Sequence, residues 1–435
     1  MSPEQSLAKG SDPSPQGVRP LSARGLTPFR EGSDPFPRSA RTLRVADVAM
    51  FYGERSGGIR TYLEAKRAWA RTTGAIEHHL VVPGKRARPA TPAPGRHELP
   101  SLALAASNGY RVPLGGAELQ ELLRDLHADV VLLHDPYWMP QGATRAAHEA
   151  GSAVVAVHHS SVAMHAAGLP GPPWLWRRGL RRWYRRAYAE VDAVMSVVDP
   201  RADSGRAAAV PLRMGLNPAF RPQIGVERGD HVLYVGRLSR EKGVGVLLEA
   251  AAASPRAWPL VLLGSGPHVP ALRAQARHLG IEKRVTFAPY VSDPHELART
   301  YAAAACVVMP GAHETFGFVA LEAAACGAPA VAAVTAPTAR IAGPLVERFR
   351  PGDARDLVRA IARARRRRPD LAAAGALASR HSWGAALRAE LADLEGLLSA
   401  RARSAAPAEL GHAAPAERRR AAHAPAVRGP EARPR

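Results

Sequence analysis

Between residues 43 and 310 the 435-residue chain alternates short runs of Val, Leu and Ala with stretches whose apolar positions recur every three to four residues. The first half carries "RTLRVADVAMFYG", "HHLVVPG", "ADVVLLHDP", "SAVVAVHHS" and "VDAVMSVVDP"; the second carries "DHVLYVGRLS", "WPLVLLGSG", "RVTFAPYV" and "ACVVMP". Strands that are apolar throughout, rather than at alternate positions, belong to parallel sheets covered on both faces, and the helical stretches between them supply the cover. The pattern predicts an α/β protein of two doubly wound, Rossmann-like domains, over residues 43–213 and 229–381. Between them "VPLRMGLNPAFRPQIGVERGD" places prolines near glycines without periodicity, so residues 214–228 read as a hinge.

Open α/β sheets bind ligands beyond the carboxyl ends of their strands, so two in tandem put a ligand in the cleft between them and the functional residues in loops after strands. After the first strand, Gly57 and Gly58 precede a helix, which suits either a close approach of backbone to a phosphate or a plain tight turn. After "VLYV", Arg237 and Lys242 flank a short turn that opens a helix, and both cations can converge on a diphosphate; a solvated charged turn reads the same way. "LLGSGP" and "FAPYVSD", the latter containing Val291, end strands with backbone groups at the cleft, where either can cradle a nucleotide base or simply turn.

The richest loop is "HETFGFVALEAAACGAPAV", residues 313–331. A helix starting near Gly317 puts Glu322 on the helix and leaves Glu314 in the loop before it, so the two carboxylates address different parts of one elongated ligand. The helix start offers unpaired N–H groups, so residues 315–318 are suited to receive a phosphate.

Composition narrows the classes. The length calls for two domains. Cys306 and Cys326 have no metal-type spacing and argue for a reducing compartment. No 18-residue apolar run or secretory signal is visible, which predicts a cytoplasmic protein. The formal charge of +21 suggests nucleic acid, but only five of the 59 basic residues are lysine, and the arginines are scattered rather than gathered on one surface, so no specific nucleic-acid partner is expected. Residues 1–42 read as a disordered Ser/Pro/Arg-rich tail and residues 401–435 as a disordered basic tail.

"GRLSREKG", "LVLLGSGP", "VTFAPYVSD" and "HETFGFVALEAAACGAP", in this order, resemble the family 4 glycosyltransferases, a retaining group with the GT-B fold. "SGGIRTYL", "VVLLHDP" and "VVAVHHSS" fit the amino-terminal domain of that family, and "SWGAALRAELADLEGLL" looks like its closing helix, expected over 382–400 and crossing back to the first domain. The resemblance implies that Arg237 and Lys242 stabilise the diphosphate of a nucleotide sugar, that Glu314 holds the sugar's hydroxyls and Glu322 the ribose, and that the amides of Phe316, Gly317 and Phe318 receive phosphate. His159 matches a histidine that approaches the transferred sugar, although His158 beside it fits one residue away. Gly57 and Gly58 would line the phosphate and acceptor side, and Val291 the nucleotide. "VTAPTARIAGPLVERF" departs from the family's usual pattern after the helix.

The reaction so implied moves a hexose, mannose or glucose, from a GDP- or UDP-sugar to a lipid or small glycan acceptor with retention. No metal or other cofactor is expected, since the chain has no Asp-x-Asp motif. The alternative is a non-catalytic sugar-nucleotide or carbohydrate binding protein of the same fold, against which the full set of Arg237, Lys242, Glu314 and Glu322 argues. "WLWRRGLRRWYRRAYAEV", residues 174–191, places Trp176, Leu180, Trp183, Ala187 and Val191 on one helix face and six arginines opposite. That helix either lies on an anionic membrane surface, making the protein peripheral, or packs in the core with a solvated basic face.

Overall fold

The computed structural model describes residues 42–53, 58–84, 94–104, 110–134, 140–159, 162, 165–166, 169, 171–197, 207–314 and 316–405. The two expected tails lie outside the described residues, apart from residue 42 and residues 401–405.

The first sheet contains β1 (Leu43–Val48), β2 (Ile76–Gly84), β3 (Gly95–Ala103), β4 (Arg111–Pro113), β5 (Val130–Leu133), β6 (Ala153–His158), β7 (Ala193–Ser196) and β8 (Ala208–Pro211). Its order is β4-β3-β2-β1-β5-β6-β7-β8, parallel except where β3 meets β4. The second contains β9 (Val232–Val235), β10 (Leu260–Leu263), β11 (Val285–Ala288), β12 (Cys306–Met309), β13 (Ala330–Ala333) and β14 (Val346–Phe349), in the order β11-β10-β9-β12-β13-β14 with every pair parallel. In each sheet the chain starts at the centre, builds outward on one side, then returns to build on the other. Loops leaving β1 and β5, or β9 and β12, therefore part in opposite directions and open a crevice.

The helices are α1 (Gly58–Thr73), α2 (Ala117–Leu126), α3 (Pro140–Glu149) and α4 (Pro173–Ala187) around the first sheet. Around the second are α5 (Val244–Ala253), α6 (Val269–His278), α7 (Pro294–Ala303), α8 (Phe318–Ala325), α9 (Thr338–Ile341), α10 (Ala354–Arg366) and α11 (Leu371–Arg380), followed by α12 (Trp383–Ala405). Successive strand residues feed opposite faces, as the pleat requires. Val45 packs in a cluster with Tyr62 and Leu63 of α1, whereas Ala46 and Val48 pack with Leu119 and Leu122 of α2 and Tyr184 of α4. The far face of the second sheet is covered by Leu247 of α5, Leu272 of α6 and Ile361 of α10.

Five strands were not legible as such. β13 reads "AVAA", which propensity assigns as readily to a helix; β3 mixes Arg, His, Glu and Pro into its run; β4, β8 and β14 are three or four residues long. They form because an existing edge supplies hydrogen-bonding partners.

The hinge segment is anchored where it begins. The Leu216 N–H donates to the carbonyl of His381 at 2.7 Å, and Leu216 bridges Ser382 in parallel. Met214, Leu216 and Phe220 are buried. The outgoing and returning connections thus cross side by side, and α12 then lies on α1. Glu390 pairs with Lys66 at 2.7 Å and accepts from the Tyr62 hydroxyl at 2.7 and 2.8 Å, while Trp383, Leu387 and Leu394 join the core. The expected helix at 382–400 is corrected at its far end: it runs to Ala405, because residues 401–405 are Arg, Ala and Ser and the first helix breaker is Pro407.

A β-carbon on Gly215 would sit 2.5 Å from the Trp383 ring and 2.6 Å from its Cα. Gly215→Ala is therefore expected to lower stability by about 1–3 kcal/mol through overpacking. Chemical denaturation measures it, and an unchanged midpoint would show that the crossing tolerates more room than the contact implies.

Candidate functional site

The two crevices face one another across a cavity of about 410 Å³ lined by both domains. From the first domain it takes Gly58, Ile59, His159, Val197 and Leu212, from the start of the hinge Met214, and from the second domain Arg237, Lys242, Glu314, Phe316, Gly317 and Phe318 among others. Eight of the residues singled out in the sequence thus share one cavity. Glu322 and Val291 do not line it, and Gly57 and Thr315 lie outside the described residues.

The cationic side is built by the turn after β9. The Tyr234 hydroxyl donates to the carbonyl of Arg237 at 2.7 Å, and the Leu238 N–H donates to the carbonyl of Ser265 at 2.9 Å, so the turn is tied to its own strand and to the loop after β10. A short 3₁₀ turn, Arg240–Lys242, then carries Lys242 toward the loop after β12. Its Nζ lies 3.0 and 2.9 Å from the two carboxylate oxygens of Glu314. That carboxylate lies over the backbone of Gly311, where a β-carbon would be 2.7 Å from Oε1, so the approach depends on glycine. Lys242 is a third exposed and Glu314 about a tenth. The ammonium has three donors, so it can hold Glu314 and still serve an anion in the cavity.

The N-terminal end of α8 faces the same space. Gly317 is its N-cap with φ +88°, and a β-carbon there would meet the Thr338 hydroxyl at 2.6 Å and the Met309 methyl at 2.8 Å, so only glycine fits both backbone and surroundings. Thr338 holds this corner by donating to the carbonyls of Phe316 and Gly317. The first amides of α8 have no intrahelical acceptor and point outward with the positive end of the helix dipole. A β-carbon at Gly58 would lie 3.2 Å from the Phe318 ring, so the start of α1 and the start of α8 meet across the cleft.

Glu322 sits one turn further along α8. The Tyr301 hydroxyl donates to its Oε2 at 2.8 Å, and burial pushes the carboxyl up from 4.5 to about 7, a rise the Tyr301 contact only partly opposes. Tyr290 is close enough for its phenol to be raised by Glu322 in turn, beneath its own larger burial effect. Glu322, Tyr290 and Val291 are thus not part of the cavity wall.

Strand alternation separates the two histidines that the sequence leaves paired. His158 ends β6 facing α4, with its ring 4.5 Å from Tyr184 and 5.3 Å from Tyr188, and burial pushes it down to about 4. His159, the next residue, turns to the cavity. Its Nε2 lies 2.8 Å from Nδ1 of His134, with the rings stacked at 5.1 Å. Burial and the neighbouring His134 and His158 hold His159 well below the usual imidazole range, against a smaller opposing pull from Asp47.

Behind His134 stands a polar group that the motif reading passed over. Asp47, fully buried in β1, faces His134 Nε2 at 2.6 Å, His78 Nε2 at 2.7 Å and Lys66 Nζ at 3.0 Å. Burial alone would raise the Asp47 carboxyl, but Lys66, His134 and His78 together hold it well below the carboxylate range. The signal was present in the sequence: Asp47 interrupts "RVADVAM" and His134 ends "VVLLH", polar residues where the pattern calls for apolar ones. Among the described residues no three His, Cys, Asp or Glu side chains are grouped as metal ligands would be.

Residues 218–380 match the model described as glycosyl transferases group 1, and residues 56–207 match that described as glycosyltransferase family 4. A GDP-mannose-dependent alpha-(1-6)-phosphatidylinositol dimannoside mannosyltransferase of Mycobacterium tuberculosis is 31% identical over 317 residues, covering 67% of this chain and 80% of that protein. A D-inositol 3-phosphate glycosyltransferase of Segniliparus rotundus is 35% identical over 212 residues, covering 46% of each chain. The crystal structure of a glycosyltransferase from Rickettsia africae superposes with a TM-score of 0.61 at 14% identity, covering 82% of this chain and 99% of that one.

Glu322 yields a pH prediction. A carboxyl raised from 4.5 to about 7 favours the protonated form in the fold, so its contribution to stability is complete below about pH 4.5 and lost as pH rises to about 7. Glu322→Gln keeps a neutral group there. Its stability relative to wild type is expected to rise across that window and then level off; a difference independent of pH, in denaturation at pH 5 and pH 8, contradicts the raised value.

Proposed function

The chain belongs to the family 4, or group 1, glycosyltransferases and has their GT-B fold of two facing Rossmann-like sheets, and we propose that it transfers mannose from GDP-mannose, with retention, to a lipid-linked acceptor. One observation carries the reading: Arg237, Lys242, Glu314, His159 and the amide end of α8 line a single interdomain cavity. The mycobacterial relative, which the chain matches over four-fifths of its length, supports mannose and a phosphatidylinositol-based acceptor over the glucose alternative.

In this reading the donor diphosphate lies between Arg237, Lys242 and the first amides of α8, at Phe316, Gly317 and Phe318. Charge grows on the leaving diphosphate as the glycosidic bond breaks, and preorganised cations in a partly dry site stabilise it without reorganising. Glu314 takes the sugar's hydroxyls and, through its two contacts, keeps Lys242 from straying. Glu322 and Val291 serve the nucleoside end beside the cavity. The acceptor hydroxyl attacks from the face the diphosphate leaves, and the departing phosphate takes its proton, which gives retention without a protein nucleophile. Gly58 and His159 stand on the acceptor and sugar side.

The lipid acceptor draws support from α4. Leu180, Trp183, Tyr184 and Ala187 pack on the first domain, as does Val191 beyond the helix, whereas Trp176 of the same expected face is exposed. Arg177, Arg178, Arg181, Arg182, Arg185 and Arg186 remain exposed, and at the start of the helix Trp174 and Leu175 are 70% and 59% exposed. Arginines beside exposed Trp and Leu suit the interface of an anionic bilayer. Among the described residues no helix is long and apolar enough to cross a membrane.

Wild-type protein is expected to turn over GDP-mannose, and not UDP-glucose, when phosphatidylinositol mannosides are supplied, and Arg237→Ala to lower kcat/KM by about 10²-fold or more with an unchanged melting point. Turnover of UDP-glucose alone would replace the donor; an active Arg237→Ala would remove its phosphate role. The protein should also sediment with phosphatidylinositol-containing vesicles at low salt and not with phosphatidylcholine vesicles. Equal binding to both, or to neither, removes the role given to α4.

A further inference from the structure

We infer that Asp47, acting through His134, fixes the tautomer of His159 so that its Nδ1 carries no proton and is a hydrogen-bond acceptor. The inference deepens the reading above, in which His159 stands on the sugar side of the cavity. Three contacts in series carry it: Asp47 Oδ1 to His134 Nε2 at 2.6 Å, His134 Nδ1 to His159 Nε2 at 2.8 Å, and His159 to the cavity it lines.

The series has a direction because its first member can only accept. Asp47 has no exposed surface, and its carboxylate is ringed by Lys66, His78 and His134. An ionised carboxylate donates nothing, so His134 meets it with Nε2–H. Where His134 holds a single ring proton, the Asp47 contact places it on Nε2, so Nδ1 of His134 is bare and accepts. The partner at 2.8 Å, Nε2 of His159, must then donate. His159 is itself held neutral, so its single proton is spent on this contact and its Nδ1 is left as an acceptor. A sugar hydroxyl, which must give its proton to some acceptor once water is excluded, is the matching partner.

Asp47 and His134 are therefore positioning residues, neither of which lines the cavity. The anchor behind them is firm. Lys66 joins Asp47 to Glu390 of α12, at 3.0 and 2.7 Å, with both ends of each pair almost fully buried. The carboxylate that orients the cavity histidine is thus held by the same lysine that seats the last helix on the first domain.

Long-range ¹H–¹⁵N correlation on protein labelled at histidine nitrogen reads the tautomer directly, with His159 assigned by the signal lost in His159→Gln. Nδ1 is expected to show the shift of a bare nitrogen and Nε2 that of a protonated one at pH 7. A protonated Nδ1, as an imidazolium at His134 would impose, overturns the inference. A second measurement uses two substitutions of nearly equal volume. Glutamine at 134 can donate to Asp47 and accept from His159, whereas methionine cannot donate and accepts only weakly, so His134→Met should lower kcat about 10-fold more than His134→Gln, with similar KM for the donor. Equal losses in the two variants would reduce His134 to a packing residue. Absence of transferase activity in wild type would instead fail the functional reading and leave the tautomer result standing.

Discussion

The buried pair between Lys66 and Glu390 is the contact on which the two-domain arrangement rests. Lys66 belongs to α1 and Glu390 to α12, and each side chain is about 2% exposed. Taking either charge away would strand the other in a dry interior, a loss of about 3–5 kcal/mol for such pairs. Four further groups make burial tolerable here: the Tyr62 hydroxyl donates to Glu390, and Lys66 also reaches Asp47, whose remaining oxygen capacity is filled by the imidazoles of His78 and His134. The chain that completes the second domain is in this way returned to the first, so both connections cross at the same place, where Leu216 meets His381 and Ser382. Two crossings close together make a pivot narrower than a single free linker would.

That pivot decides what the cavity is. Each sheet opens a crevice only at the point where strand order reverses, and the crossing faces the two crevices toward each other. The second contributes charge: Arg237 and Lys242 after β9, Glu314 after β12, and the amide end of α8. The first contributes the start of α1 and His159 after β6. Charges of opposite sign a few ångströms apart in a partly enclosed space suit a ligand that is anionic in one part and rich in hydroxyls in another, which is the composition of a sugar nucleotide. In a relative movement of the domains, Gly58 and Phe318 would be among the first to part or close, since they touch across the cleft.

The arginines show how composition and structure divide the work. A charge of +21 carried almost wholly by arginine says little by itself, and several arginines are simply paired with nearby carboxylates: Arg363 and Arg367 with Glu347, Arg359 with Asp356, Arg213 with Asp393. Along α4 several stand exposed beside exposed Trp and Leu, which gives the basic excess a direction there.

The sequence by itself determined the class of the fold and just under half of the cavity wall. Apolar runs such as "HVLYV" and "ACVVM", β-branched and bounded by turn residues, read as buried parallel strands because such strands hide side chains on both faces, and glycine and charge in the loops after them mark the ligand side. Five strands escaped because "AVAA" reads equally well as helix, β3 mixes charged residues and proline into its run, and β4, β8 and β14 lack an unbroken apolar run, so their pairing and not their own pattern defines them. Tertiary structure alone decided three things: that Lys242 is held by Glu314, that Glu322 and Val291 are not part of the cavity wall, and that His159, not His158, faces the cavity. It also assembled Asp47, Lys66, His134 and Glu390, residues spread over most of the chain, into one group. Such contacts depend on where side chains from distant segments meet, and in an interior of low dielectric each buried polar atom is tolerated only if the others arrive with it.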